Sequence, residues 1–247
     1  AGTRVQVLVD DMPLISGDAG QAQWSLISTE NINQIEVIKG ASSALYGSSA
    51  LNGVINIRTA YPTSEPETKI KIHHGYYDNP KRESLNWWGS RSQKIYGADF
   101  LHKRKIGNLD LVIGGFLLED EGYRYDEKTT RKRINFNTRY KSKKVDGLSY
   151  GVNGNFLFNQ TASALIWNSY NHAYIPLDSA VTTTSGDVYN IDPFIIFINP
   201  KNNDKHVLRT RYMKVINDNN TKDEENDQDN KSETIYGEYQ YQKSIKG

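Results

Sequence analysis

The sequence predicts a small α+β domain, with a mixed sheet and short helices, followed by the antiparallel strands of a transmembrane β-barrel. Three observations support this fold class. Glycines punctuate a strand–helix–strand unit between Ile35 and Thr59. Beyond Pro66 the hydrophobic pattern changes to a period of two and keeps that period through several segments. The chain also has no apolar run of the roughly 18 residues that a membrane-spanning helix needs, whereas a barrel strand needs one apolar face over about 9–11 residues.

The composition excludes several classes of protein. Basic and acidic residues nearly balance, at 30 and 29, so no bulk charge favours binding to nucleic acid. The chain has no cysteine, which rules out a disulfide framework, a thiolate metal site and a cysteine nucleophile within it. Its 16 tyrosines and four tryptophans are typical of proteins with surfaces at a lipid–water boundary.

The first domain begins with an apolar strand and a turn. Residues 5–9, VQVLV, predict a buried strand that ends in a turn at Asp10 and Asp11. Residues 14–23 are small and polar and predict a loop. Residues 24–33 have amphipathic spacing, and we expect a short helix there whose apolar side joins the core.

The next unit is the most specific signal in the chain. A strand of branched apolar residues starts at Ile35 and stops at Gly40, and a short helix of small residues follows around Tyr46. Gly47 and Gly53 bracket a turn into a second strand. Glycine reaches positive φ without strain, so glycines at these places predict tight turns between the elements.

Taken in order, the runs VQVLVDDMP, IEVIKG, SALYG and GVINI resemble the plug domain of TonB-dependent outer-membrane receptors. Residues 5–59 cover the match. Asp11 stands where the family usually has glycine, but aspartate tolerates left-handed turns, so we expect the turn to be kept. The resemblance implies a plug at residues 1–60 that sits inside a larger β-barrel. Because Arg4 leads straight into the first strand, we expect the upstream part of the plug and its coupling box to lie outside this chain, which is then a fragment of the receptor.

The resemblance also implies positions that contact ligand and barrel. The loop that faces incoming ligand in this family maps to Asp18, Gln21, Gln23 and Trp24, although these residues equally suit an ordinary solvent-exposed loop. Residues that hold plug against barrel map to Glu36, Lys39 and Arg58, and a plain surface lysine is the alternative for Lys39.

The composition then changes. Residues 61–67 combine prolines with polar residues and predict a linker. Residues 68–247 predict about seven barrel strands, with apolar residues alternating against a face rich in asparagine and arginine, the lipid-out and polar-in pattern of transmembrane barrels. About seven strands form only part of the wall of a large plugged barrel.

A long connection interrupts these strands. Residues 161–205 exceed what a hairpin needs and concentrate aromatic residues, so we expect Trp167, Tyr170 and Tyr174 to contact ligand by stacking. The run PFIIFI at residues 193–198 is also compatible with packing into the barrel mouth or with a small strand of its own.

No pattern for catalysis or for a resident metal or cofactor is found. The five histidines lack the spacing of a metal site, and the acidic run at residues 223–229 is better explained as a solvated turn than as a calcium loop. The serines around Tyr46 do not form a nucleophile elbow. We therefore expect no enzyme.

The predicted function is that of an outer-membrane receptor of a Gram-negative bacterium that imports a scarce ligand. The resemblance implies a TonB-type energy-transducing partner, a small-molecule ligand and surrounding outer-membrane lipid, and it implies no nucleic acid. Lys39 followed by Gly40 resembles receptors for metal chelates such as iron-siderophores, haem or cobalamin more than glycan importers. A glycan or peptide importer of the same architecture and a non-transporting β-rich surface recognition protein are the alternatives.

Overall fold

A computed structural model of the chain describes residues 5–17, 22–40, 46, 50–177, 180–221 and 228–244. Their strands form two sheets, one of four strands, called the small sheet, and one of eight strands, called the large sheet. None of the helices within these ranges combines the length and the apolar character that crossing a membrane requires.

The small sheet is mixed, as the sequence predicts. Its strands are β1 (Val5–Val9), β2 (Met12–Pro13), β3 (Ile32–Lys39) and β4 (Gly53–Thr59). The order is β2-β1-β4-β3, and β1 pairs in parallel with β4 while the other pairs are antiparallel. Asp10 and Asp11 join β1 to β2 with φ angles of 50° and 68°, which confirms the left-handed turn predicted for Asp11.

The helix predicted at residues 24–33 is wrong. Two short 3₁₀ turns, Trp24–Leu26 and Thr29–Asn31, occupy this segment, and Ile32 already belongs to β3. Leu26 and Ile27 are both buried and adjacent in sequence, and Ile27 is extended, so the segment buries its apolar side chains without a continuous helix. In the next predicted helix Tyr46 is helical, whereas Ala44, Leu45 and Gly47 lie outside the described residues.

The large sheet is antiparallel, and each strand pairs with the next along the chain. Within the described residues it runs from one edge strand to the other without closing. Its strands are β5 (Glu67–Tyr76), β6 (Lys94–Ile106), β7 (Leu109–Asp120), β8 (Thr129–Lys141), β9 (Leu148–Ala164), β10 (Val181–Ile198), β11 (Lys205–Thr221) and β12 (Asn230–Gln242).

The expectation of about seven strands is therefore corrected to eight. The additional strand, β10, lies within the segment interpreted as one long loop, and PFIIFI forms its second half. Pro193 indicates a loop rather than a strand, because the nitrogen of proline cannot donate a hydrogen bond to a neighbouring strand and proline is therefore rare in central strands. The pairing with β11 is indeed interrupted there, between Ile191 and Phe194, and Thr210 Oγ1 donates to Pro193 O at 3.2 Å within the gap.

The two ends of the large sheet differ. Short connections at residues 107–108, 142–147 and 199–204 define one end, here called the turn end. Longer connections at residues 77–93, 121–128 and 165–180 define the other, called the loop end. The sheet thus has short turns at one end and long connections at the other.

The small sheet packs against one face of the large sheet, and an apolar core fills the space between them. One cluster of buried side chains combines residues of both parts: Leu14, Leu26, Ile27 and Ile57 from the small domain and Leu157, Val188, Met213 and Val215 from β9, β10 and β11. Burial of apolar surface is the main favourable term in such packing. Around this core the contacts between the two parts are polar.

Candidate functional site

The candidate site is the interface between the two sheets, where three arginines of the large sheet reach the small domain. The first is Arg133 on β8. Its Nη2 lies 2.6 Å from Glu30 Oε2, and its Nη1 donates to Ile27 O at 2.5 Å and to Ser25 O at 3.2 Å. Both side chains of the ion pair are nearly fully buried, at 4% and 6% exposed.

Glu30 fits into a notch in the large sheet. A Cβ atom at Gly114 of β7 would lie 2.9 Å from Glu30 Oε1 and 2.7 Å from Asn135 Nδ2, so any larger residue there would force these two side chains to shift. On β9, Asn155 Nδ2 donates to Leu26 O. Burial raises the pKa of the Glu30 carboxyl above its ordinary value, and the nearby charge of Asp99 adds to that rise, although the Arg133 charge opposes it.

The second arginine is Arg211 on β11. It is paired within the large sheet, because its Nε and Nη2 donate to the two oxygens of Asp192 at 2.8 and 2.6 Å. Its Nη1 donates to Pro13 O of the small sheet at 2.5 Å. A buried arginine thus keeps its own counterion and still contacts the small domain.

The third arginine, Arg209 of β11, joins a chain of charges that starts in the small sheet. Asp11 Oδ2 lies 2.6 Å from Arg58 Nη1 and 2.7 Å from Arg209 Nη2. Arg58 also pairs with Glu36 at 3.4 Å, and Arg209 pairs with Glu238 of β12 at 3.3 Å. Burial alone would raise the pKa of the Asp11 carboxyl, but the hydrogen bond from Arg58 and the charges of both arginines outweigh burial and lower it.

A cavity of about 460 Å³ remains between the two sheets. Amide side chains dominate the large-sheet side of its lining: Asn135, Asn137, Asn153, Asn155 and Asn190. Asp10, Asp11 and Arg58 line it from the small sheet. The interface thus combines an apolar core with a polar, partly open seam.

Residues 60–66, which connect β4 to β5, are anchored beside this cavity. The Arg139 guanidinium lies 3.9 Å from the centroid of the Tyr61 ring and donates to Asp110 Oδ2 at 2.6 and 2.9 Å. Burial raises the pKa of Tyr61 to about 12, so the phenol stays protonated. Asn137 Nδ2 lies 3.4 Å from Thr59 Oγ1 and adds a hydrogen bond just before the linker.

A second polar and aromatic cluster occupies the loop end. Trp87 stacks edge-on against Tyr125 at 5.1 Å and donates through Nε1 to Tyr123 O at 3.0 Å. Tyr123 contacts Tyr174 at 5.4 Å, so the connections at residues 77–93, 121–128 and 165–180 interlock. Edge-to-face aromatic pairs of this kind favour a defined loop arrangement.

The predicted ligand contacts fall into two groups. Trp167 and Tyr170 are exposed at 58% and 78%, and Tyr170 lies under Arg82, whose guanidinium is 4.1 Å from its ring centroid. Tyr174 is half-buried in the aromatic cluster. Trp24, at 46% exposed, and Gln23 lie in the small domain, and within the described ranges no ring contact joins Trp24 to the loop-end cluster. Asp18 and Gln21 lie outside the described residues.

The three residues predicted to hold the plug against the barrel, Glu36, Lys39 and Arg58, form no direct ion pair with the large sheet among the described residues. Glu36 pairs with Arg58 inside the small sheet, and Arg58 reaches the large sheet through Asp11 and Arg209. Lys39 is exposed, and no ion pair of its side chain is found in the part of the chain that the structure describes.

Sequence reasoning missed the closest contacts of the interface. The sequence places Glu30 in the helix expected at residues 24–33 and Asp192 in the long connection expected at residues 161–205, so neither is expected to face the other sheet. Arg133 and Arg211 occupy inward positions of strands, where the period-two pattern puts a charged residue on a buried face. An arginine on the covered face of a strand is the available signal for such a contact. Buried charges are almost always paired, so this arginine requires a partner in the element that covers it.

Comparison with known proteins agrees with this geometry. Residues 1–54 match the family model of the TonB-dependent Receptor Plug Domain. The chain contains a TonB-dependent receptor plug domain. The family resemblance inferred from sequence is thereby confirmed.

The relatives are receptors and transporters. Over 125 residues the chain is 36% identical to the vitamin B12 transporter BtuB of Vibrio vulnificus, a match that covers 49% of this chain and 17% of BtuB. Over 112 residues it is 30% identical to the probable TonB-dependent siderophore receptor PirA of Acinetobacter baumannii, covering 41% of this chain and 15% of PirA. The chain therefore spans about a sixth of the length of the curated relatives that it matches.

Solved structures share the fold. The ferric citrate transporter FecA in its unliganded form superposes with a TM-score of 0.70 at 14% identity, covering 90% of this chain and 32% of FecA. The siderophore receptor PirA of Acinetobacter baumannii gives a TM-score of 0.64 at 17% identity, covering 98% of this chain and 37% of that receptor. The plug domain and the eight-stranded antiparallel sheet thus correspond to a part of such plugged barrels.

Proposed function

We propose that the protein is a TonB-dependent outer-membrane receptor of a Gram-negative bacterium that imports a metal chelate. In this proposal residues 1–60 are the plug domain, residues 61–67 the linker and residues 68–247 the first strands of a transmembrane barrel. The observation that carries it is the plug-domain match at residues 1–54 together with an eight-stranded antiparallel sheet that covers the plug domain with one face.

The opposite face of the large sheet supports a lipid environment. Ile134 on the central strand β8 is 59% exposed, Leu117 on β7 is 52% exposed and Ile195 on β10 is 48% exposed. Opposed positions in the ladders place further exposed apolar side chains on this face: Ile70, Ile72, Phe100, Ile113, Phe158, Leu208 and Ile235. An apolar face of this extent is stable against lipid and a liability in water.

The loop end supports ligand recognition. The interlocked connections there hold Trp167 and Tyr170 exposed, and Arg82 lies over the Tyr170 ring. Flat aromatic faces suit the delocalised rings of a catecholate or a corrin-like ligand, and the adjacent cation in addition suits the anionic oxygens of a catecholate. We assign ligand contact to Trp167, Tyr170 and Tyr174 from the wall and to Asp18, Gln21, Gln23 and Trp24 from the plug domain.

The ligand class is inferred from the relatives. They include transporters of vitamin B12 and a probable siderophore receptor, and both kinds of ligand are chelated metals. The energy for import would come from a TonB-type protein that acts on the plug domain. In this arrangement Arg58, paired with Glu36 and joined to Arg209 through Asp11, helps to keep the plug domain seated until that partner acts, whereas Lys39 is exposed without an ion pair among the described residues.

A binding experiment on the full-length receptor tests the proposal. The probes are cyanocobalamin and a ferric catecholate, each titrated against the detergent-solubilised receptor and against the variant Trp167→Ala/Tyr170→Ala. We expect one probe to bind and the double variant to weaken it about 30-fold, as loss of two stacking contacts of about 1 kcal/mol each implies. Tyr212→Ala, which removes an exposed aromatic ring from the lipid-facing side, is the matched control and should bind unchanged.

Two results would contradict the proposal. Binding of neither chelate, combined with growth of a deletion strain that is impaired on particular glycans and normal on limiting iron or cobalamin, would assign the receptor to another ligand class. Unchanged affinity in the double variant would remove the ligand role of the 165–180 connection.

A further inference from the structure

The three arginines that contact the plug domain differ in whether they retain a carboxylate partner when the plug domain moves. Arg211 retains Asp192, and Arg209 retains Glu238, because those carboxylates belong to the large sheet. Asp11 likewise keeps Arg58 within the plug domain. Breaking these contacts therefore leaves every charge with a partner.

Arg133 is the exception. Its three hydrogen bonds in the described part of the chain go to Glu30 Oε2, Ile27 O and Ser25 O, all in the plug domain. Its side chain is 4% exposed. Movement of the plug domain would leave this guanidinium without a counterion, and an uncompensated buried charge is strongly unfavourable.

A replacement carboxylate lies on the same face of the large sheet. The ladders place Asp99 of β6 opposite Phe116 of β7, and Phe116 opposite Arg133 of β8, so the three residues form one row. The Arg133 guanidinium already lies 5.3 Å from the centroid of the Phe116 ring. The Phe116 ring therefore lies beside the guanidinium in the row, and Asp99 is about one strand spacing, roughly 5 Å, beyond Phe116.

Asp99 is available for such a contact. Its carboxylate is half-buried and, among the described residues, forms neither an ion pair nor a side-chain hydrogen bond. It is also close enough to Glu30 for its charge to contribute to the raised pKa of the Glu30 carboxyl. Asp99 thus has no ion pair in the described part of the chain although Lys71 of β5 lies directly opposite it in the ladder, whereas Glu30 is paired with Arg133.

We propose that Arg133 is the pivot of a carboxylate-exchange latch: it binds Glu30 while the plug domain is seated and transfers to Asp99 of the wall when the plug domain moves. Transfer across the Phe116 ring keeps the guanidinium paired in both states. Gly114 is part of the latch, because the notch it leaves admits Glu30. The inference rests on the proposed function in requiring the plug domain to move.

The latch makes opposite predictions for its two carboxylates. Glu30→Gln weakens the seated state and speeds release. Asp99→Asn removes the acceptor of the moved state, and it also removes repulsion from Glu30 in the seated state, so it slows release. Relief of the repulsion between Asp99 and Glu30 would by itself also slow release, so Asp99→Asn is also measured in the Glu30→Gln background, where that repulsion is absent. There the exchange predicts slower release, and a purely structural ion pair between Glu30 and Arg133 predicts no further change.

Release can be measured without ligand or an energy source. Ser28, which lines the cavity, is changed to cysteine in a full-length receptor otherwise free of cysteine, and this chain itself contains none. Isolated outer membranes are treated with a maleimide at a fixed, intermediate urea concentration, and the labelling rate of Ser28→Cys reports exposure of the interface. Asp146→Asn, an exposed carboxylate in a turn, is the control and should label at the unchanged rate.

We expect Glu30→Gln to label about tenfold faster, the effect of losing a buried pair whose partner finds a substitute. We expect Asp99→Asn to label about threefold more slowly. Equal or faster labelling of Asp99→Asn, whether alone or relative to Glu30→Gln in that background, would overturn the exchange, and unchanged labelling of Glu30→Gln would overturn the latch. If Glu30→Gln does not assemble, Glu30→Asp is read by the same criterion, because its shorter carboxylate retreats from Arg133.

This assay is independent of the ligand. Failure of the latch would change the labelling pattern and leave chelate binding intact. Failure of the proposed function would abolish chelate binding and leave the opposite effects of Glu30→Gln and Asp99→Asn in place.

Discussion

Substitution of Arg211 by methionine separates the stability of the wall from the seating of the plug domain. The Arg211 and Asp192 side chains are 3% and 12% exposed and are joined by hydrogen bonds of 2.6 and 2.8 Å. In Arg211→Met the Asp192 carboxylate keeps, among the described residues, one hydrogen bond, from Asn190 Nδ2 at 2.9 Å. Removing one partner of a buried pair costs about 3–5 kcal/mol, so the free energy of unfolding should fall by that amount.

The compensated variant Asp192→Leu/Arg211→Met replaces both charges by apolar side chains of similar size. Such replacements are usually neutral to stabilising, so the double variant should return to within about 1 kcal/mol of the original stability. It still lacks the donor to Pro13 O, and the plug domain should therefore be held less firmly by about 1.5–3 kcal/mol, the contribution of a hydrogen bond that involves a charged group.

Two measurements on the full-length receptor resolve these effects. Urea titration of the folded barrel, followed by its altered mobility on unheated gels, gives the stability of the wall. Maleimide labelling of Ser28→Cys gives the seating of the plug domain. The reasoning is refuted if the double variant is as unstable as Arg211→Met, or if Arg211→Met leaves the urea midpoint unchanged.

Two further predictions concern Asp11, which pairs with both Arg58 and Arg209, and the outward face of the large sheet. Because the pKa of the Asp11 carboxyl is lowered, the ionised form is favoured in the folded protein, so its stabilisation is complete above the ordinary value of 3.8 and is lost as pH falls through the lowered pKa. The difference in the urea midpoint of unfolding between the unchanged receptor and Asp11→Asn should therefore be full at pH 6 and vanish in strong acid, and a difference that grows on acidification would contradict this sign. Ile134→Lys places a charge on the apolar outward face and should make folding into lipid vesicles less favourable by about 2–4 kcal/mol. An unchanged free energy of folding would argue against lipid at that position.

Sequence reasoning predicted the fold class because its signals are local. The turn at Asp10 and Asp11, the strands that flank Gly40 and Gly53 and the period-two alternation all depend on residues close in the chain. It failed for β10, where Pro193 interrupts a ladder that tertiary pairing on both sides nevertheless maintains. The strand is stable because β9 and β11 flank it, and that information is not local.

The interface was less predictable for the same reason. Glu30 and Arg133 are separated by 103 residues, and Asp11 and Arg209 by 198. Composition and spacing cannot show which inward-facing charge will meet which residue of the plug domain. Inward asparagines and arginines indicated a polar seam, but the individual pairs depend on how the two sheets are placed.

A reversible crosslink between plug domain and wall tests the central claim most directly. A Cβ atom at Gly17 would lie 3.5 Å from Ser232 Cβ on β12, within the range that a disulfide requires. The variant Gly17→Cys/Ser232→Cys should form a disulfide in the full-length receptor, and Gly17→Cys alone controls for the 3.0 Å approach of the new side chain to Thr234 Oγ1. If the plug domain is seated as described and must move for import, chelate uptake stops in the oxidised double variant and returns on reduction, while binding persists throughout. Failure of the disulfide to form, or uptake that is equally fast in the oxidised and reduced protein, would contradict the account.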